Sequence, residues 1–283
     1  MLYDFFIEPF ATYGFMKRAL AACFALALGC GPIGVLLVLR RMSLMGDALS
    51  HSILPGVAVG YLIAGLSTPI MGVGGFIAGI LVAFVATLVS RYTILKEDAS
   101  FVGFYLIALS TGAIIVSAVG SNIDLLHILF GQILGVTNYA LILIGIITSF
   151  TLVTLAVIYR PLILECFDPT FMQSIGGRGG FYHLVFMILV VLNMISAFQA
   201  LGTLMALGMM MLPAIAARFW GRSVWGIFLY AFGFAMFSGY CGLLLSYHFK
   251  IPSGPSIILV AGLCYIFSLI LGRYGSVARR VLV

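Results

Sequence analysis

Charge is scarce in this chain. Only 8% of its 283 residues are charged, whereas 63% are hydrophobic. No soluble fold needs so apolar a surface, and apolar runs recur along nearly the whole length. The expectation is an all-α, polytopic membrane protein. Missing too are the alternating segments of about ten residues that build an outer-membrane barrel. The few basic residues form no run, so the net charge of +6 gives no nucleic-acid stripe; lipid is the expected surroundings. Cysteine is present but unordered: Cys23, Cys30, Cys166, Cys241 and Cys264 are scattered, mostly in apolar runs, with no CxxC spacing. They read as packing residues. A phosphate-binding loop is absent, because none of Lys17, Lys96 or Lys250 follows a glycine. The chain is therefore expected not to be an enzyme, and any ATP hydrolysis behind it has to come from a partner. The start lacks a positive leader, with Asp4 and Glu8 in its place, so no cleavable signal is expected.

What is present is a series of spans. Apolar segments fall at about 19–39, 47–64, 69–90, 101–119, 139–159, 224–247 and 256–271. The tract 181–220 is too long for one span, and Gln199 and Gly202 place a reversal inside it. That gives about nine transmembrane helices, within a range of eight to ten. Residues 1–15 read as an interfacial lead-in, and 122–131 is too short to cross. Gly72, Gly74, Gly75 and Gly79 permit close helix approach in the third span. Pro32 is expected to break the first span and Pro55-Gly56 the second. With nine spans and an external N-terminus, eleven of the 14 Lys and Arg face the cytoplasm, leaving Lys17, Arg18 and Lys250 outside. The positive-inside rule favours that orientation, which puts the C-terminus and the long polar interruption 160–180 in the cytoplasm.

Against this background Asp47 and His51 stand out. In a helix, a spacing of four stacks a carboxylate and an imidazole on one face. An ionisable pair within a span is costly, so its default reading is functional, and the two groups are ligands suited to divalent metals. A structural Asp–His hydrogen bond is the alternative at this point. Arg40 and Arg41 sit close by, so either the pair is shallow or the 42–46 link is non-helical within the membrane. Asp124 and His127 form a second acid–imidazole pair and read as interfacial polar residues. His183 and His248 lie near span ends and read the same way. Met209, Met210 and Met211 point in different directions around a helix, which means packing. Asp168 followed by Pro169 reads as a helix N-cap with proline at the first helical position, and the helix runs toward Gly176. Ser43, Ser50 and Ser52 are the only nucleophiles near His51, and no HExxH motif exists, so an intramembrane hydrolase is disfavoured.

Five blocks identify a family resemblance: "LRRMSLMGDALSHSILPG" (Leu39 to Gly56), "DLLHILFGQILGV" (Asp124 to Val136), "CFDPTFMQSIG" (Cys166 to Gly176), "QALGTLMALGMMMLPAIAAR" (Gln199 to Arg218) and "PSGPSIIL" (Pro252 to Leu259). Almost end to end, the chain resembles the permease subunit of bacterial ABC importers of manganese, zinc or iron. The resemblance implies the vitamin B12/siderophore-like type of importer fold, with 1–283 as a single permease domain in the cytoplasmic (inner) membrane. It implies a second copy of the chain, a cytoplasmic ABC ATPase dimer, and an extracytoplasmic metal-binding receptor. Asp47 and His51 would line the path. Phe167, Asp168, Pro169 and Gly176 would belong to a coupling element within 160–180. Two departures stand beside these matches: Met172 where small Ala is common, and extra glycine at 177–180. No permanent cofactor is implied; the metal ion, zinc or manganese ahead of iron, is the cargo. Ligation needs a neutral imidazole, so uptake is expected to fall in acid. The rival is an ion-gradient-driven secondary metal transporter, which would work without an ATPase.

Overall fold

A computed structural model describes residues 6–65, 67–94, 97–118, 133–174, 176–177 and 179–276. In chain order the α-helices are α1 (Glu8–Thr12), α2 (Gly14–Leu39), α3 (Ser43–Ser52), α4 (Leu54–Ala64), α5 (Thr68–Tyr92), α6 (Glu97–Ala118), α7 (Asn138–Phe167), α8 (Pro169–Ser174), α9 (Gly179–Leu201), α10 (Thr203–Ala217), α11 (Val224–Phe249) and α12 (Ser253–Leu271). A 3-10 turn, Ile133–Gly135, precedes α7. The described residues contain no strand, in agreement with the all-α expectation.

Among the described residues eight segments are long and apolar enough to cross a membrane, with α3 and α4 together forming one of 22 residues, Ser43–Ala64. The remaining expected span, the second half of the 181–220 tract, corresponds to α10. It has 15 residues, which reach about 22 Å against the roughly 30 Å of hydrocarbon. The tract 181–220 divides at Gly202, whose φ of 82° places it in the region that glycine tolerates.

The helices sort into two compact units. One holds α2 up to Val38, the start of α7 through Leu152, and the chain from Ser196 onward. There α2 is enclosed, with 67% of its span buried. Gly34 lies so close to the Met210 carbonyl of α10 that a Cβ would collide with it. The Thr148 hydroxyl donates to the Ala25 carbonyl at 3.0 Å, satisfying a polar side chain in an apolar setting. The Pro32 break does not occur: α2 runs on through it, forgoing one hydrogen bond. The other unit holds residues 39–125 and 153–195, and it carries the candidate site. Here Gly56 of α4 and Gly74 of α5 meet backbone to backbone, while Gly75 and Gly79 make room for the Ile53 side chain. This packing fixes the second span, which does break beside Pro55, with the proline in the first turn of α4.

Candidate functional site

The site begins with a backbone reversal. Arg41 adopts φ 60°, a left-handed conformation uncommon for a non-glycine residue, and Met42 has the non-helical geometry of an N-cap. Helix α3 then starts at Ser43, so the break in the chain lies at 40–42 and not at 42–46, which is helical beyond Met42. Met45, Ala48 and Leu49 are buried and hold the helix down. That leaves Asp47 and His51 on the opposite, more open side, as their spacing of four predicts.

His51 Nε2 lies 3.6 Å from Asp47 Oδ1, and the side chains are 29% and 47% exposed, respectively. The gap is too wide for a hydrogen bond. A divalent ion with ligand distances of about 2.1 Å would subtend roughly 110–120° between two atoms so spaced, an angle open to several coordination geometries. The imidazole stacks on the Tyr105 ring of α6, with centroids 6.1 Å apart and planes 28° from parallel, and its Nδ1 is buried without a partner. The neighbouring serines are committed elsewhere. Ser50 donates to the Asp47 carbonyl at 2.7 Å and Ser52 to the Leu49 carbonyl at 2.8 Å, so neither hydroxyl is presented to His51. Among the described residues no group of three or more His, Cys, Asp or Glu side chains converges on a metal-sized space. One chain brings two such side chains together at this position.

The second element is α8. Asp168 caps it: Oδ1 accepts from the Phe171 backbone N–H at 2.9 Å and from the Thr170 hydroxyl at 2.6 Å. The Thr170 hydroxyl first, and the Phe171 N–H next, hold this exposed carboxyl below the usual carboxylate range. Pro169 occupies the first helical position. At the other end Gly176 has φ 70° and the Gly177 N–H donates to the Met172 carbonyl at 2.9 Å, a Schellman closure. Phe167 and Phe171 are 62% and 50% exposed, whereas Met172 is buried. The two departures seen in the sequence meet at Gly177. A Cβ on Gly177 would lie 2.7 Å from the Met172 sulfur, so the extra glycine makes room for the larger side chain.

The interruption 160–180 also differs from a loop at its start, because α7 continues as helix through Pro161 to Phe167. Leu162 is fully buried there, and its packing holds the helix past the proline. Asp124 and His127 lie outside the described residues. Met209 and Met210 are buried at 1% and 0%, as packing residues are. Sequence reasoning missed Arg40, which counted only as a topology signal. Its Nε donates to the Cys166 sulfur at 2.8 Å, and its Nη1 lies 2.8 Å from His183 Nδ1. No spacing pattern links residues 40, 166 and 183, so nothing local in the sequence announces the cluster.

An apolar helical scaffold with segment after segment of membrane-crossing length is that of a multi-pass membrane protein. Comparison with known proteins gives the family: the profile of the ABC 3 transport family matches residues 12–272, and the chain belongs to it. It is 32% identical to the manganese import system permease protein ScaB of Streptococcus parasanguinis, over 93% of this chain and 92% of that one. It is 31% identical to the chelated iron transport system membrane protein YfeD of Yersinia pestis, over 99% and 93%. Among solved structures it resembles PsaBC from Streptococcus pneumoniae in complex with Fab, with a TM-score of 0.84 and 29% identity, covering 100% of this chain and 99% of that one. The chain is thus the permease subunit of an ABC transporter and is not itself the catalytic subunit.

Proposed function

We propose that this chain forms the translocation pathway of an ABC importer for a divalent metal ion, with Asp47 and His51 as ligands along the path. The 3.6 Å separation of Oδ1 and Nε2 carries the reading, since it suits two groups bridged by an ion better than two groups bonded to each other. The named cargoes of the relatives support manganese first and iron next; zinc suits the same oxygen and nitrogen donors. Two ligands hold an ion poorly. A second copy across a two-fold axis would supply two more, and the exposure of Asp47 leaves the pair open to one. A site of this kind releases its cargo readily, as transport requires.

In this reading all of 1–283 acts as one permease domain in the bacterial inner membrane. The 160–180 segment meets a cytoplasmic ATPase dimer through α8. Phe167 and Phe171 supply apolar contact, while Asp168, Pro169 and Gly176 keep the helix short and rigid. ATP binding would move α8 and switch the access of the Asp47–His51 helix. A metal-loaded receptor would dock on the outer face. The test is reconstitution in liposomes with the ATPase and receptor, measuring entry of manganese with ATP, without ATP, and with an imposed proton gradient alone. Entry that needs ATP and the ATPase is the expected result. Entry driven by the gradient without the ATPase would overturn the reading and favour a secondary transporter.

A further inference from the structure

Arg40 is the last residue before the left-handed Arg41, and so sits where α2 hands over to the helix bearing Asp47 and His51. Its guanidinium is held by three groups. Nε donates to Cys166 Sγ at 2.8 Å, Nη1 to His183 Nδ1 at 2.8 Å, and the cation lies 4.8 Å over the Phe186 ring. A guanidinium only donates, so Nδ1 of His183 accepts and that imidazole is neutral. Cys166 lies two residues before the Asp168 cap, and His183 near the start of α9. Arg40 therefore bonds to both of the helices that flank α8.

The cluster is not fully satisfied. Arg40 Nη2 and Glu165 Oε2 are both buried without a partner. Glu165 precedes Cys166 and is pressed against Gly179 at the start of α9. Two enclosed polar atoms of opposite charge on adjacent elements are costly apart and have an alternative pairing available. Glu165 adjoins Cys166 in sequence, so the carboxylate oxygen that lacks a partner neighbours one of the groups that grip the guanidinium.

We propose that Arg40 is a positioning residue that couples α8 to the metal pair, exchanging its guanidinium between the Cys166–His183 grip and Glu165 as α8 moves. This deepens the reading of α8 as the surface that meets the ATPase, and rests on it. The guanidinium fork is essential, because a lysine ammonium is a point charge that cannot serve sulfur, imidazole and carboxylate from one place.

The test uses the reconstituted permease–ATPase complex and compares metal moved per ATP hydrolysed. Arg40→Gln, Arg40→Lys and Glu165→Gln are each expected to retain ATP hydrolysis and assembly while lowering that ratio by roughly tenfold, within the range of coupling energies. The Arg40→Gln/Glu165→Gln double variant is expected to lose no more than either single, since both remove one exchange. Unchanged ratios in the single variants, or additive losses in the double, overturn the proposal. A purely structural role would lower hydrolysis and transport together in complexes that do assemble, leaving the ratio unchanged, and that also overturns it. If Arg40→Gln fails to accumulate, His183→Leu against His183→Asn decides. Loss in the first with retention in the second is expected, because asparagine keeps an acceptor near Nδ1, and equal ratios count against the grip. Phe171→Ala separates the two levels. If it leaves ATPase association intact, the reading of α8 fails; if it weakens association while the Arg40 variants stay coupled, only the Arg40 proposal fails.

Discussion

The Asp168 cap has a pH dependence of its own, which can be separated from that of uptake. The Asp168 carboxyl is held below its usual range in the folded protein by the Thr170 and Phe171 donors. A depressed carboxylate contributes fully above its unfolded pKa, and the contribution is lost only as pH falls through the lower folded one, so the cap is unaffected between about pH 5 and 8. A fall in uptake across that window does not come from the cap, and is the result expected where an imidazole must be neutral to ligate. Wild type and Asp168→Asn, which keeps a capping oxygen, are expected to show superimposable acid profiles above about pH 5. Asp168→Ala is expected to lower transport without changing the shape of that profile, and uptake measured from pH 5 to 8 checks both. At this scale the juxtaposition of Asp47 and His51 was legible in the sequence, because a four-residue spacing fixes a shared helix face whatever surrounds it. The Asp168 cap was legible for the same local reason. Arg40 was not: its partners lie 126 and 143 residues away, and only the tertiary fold brings them together.

Among the elements, the most sensitive join is that of α4 with α5. Gly56 and Gly74 touch through backbone, so a side chain at either position has nowhere to go. Gly56→Val is expected to destabilise the detergent-solubilised protein by about 1–3 kcal/mol, the usual cost of overpacking, with a matching drop in thermal unfolding temperature. Gly103, which has open space around its Cβ position, is the control and is expected to tolerate alanine with little change. The role of the glycines in the third span could be read from composition, since small residues are what helix contacts in lipid require. The fate of Pro32 could not. A proline in a span signals a kink or a break, and only the packing around α2 decides that the helix continues. The same holds for Pro161, where buried Leu162 carries α7 eight residues beyond the expected end of the fifth span.

For the whole molecule, composition alone gave the membrane-spanning all-α class, because a chain so poor in charge has no other stable setting. The span count was harder. The 15-residue α10 is apolar enough for a span and too short for one, and hydropathy alone does not separate those cases. At this scale the account also requires more than one chain, since a single copy brings only Asp47 and His51 to the ion. Cross-linking of single-cysteine variants beside Asp47, in a background free of the five native cysteines, is expected to give a covalent dimer; its absence at every neighbouring position would leave the pair without a second copy. The most direct test of the central claim is metal accumulation by cells carrying Asp47→Ala or His51→Ala, with membrane levels of each protein measured in parallel. The account predicts variants present at normal levels with uptake lost. Normal uptake by both variants would contradict it and leave the pair a structural feature of the helix.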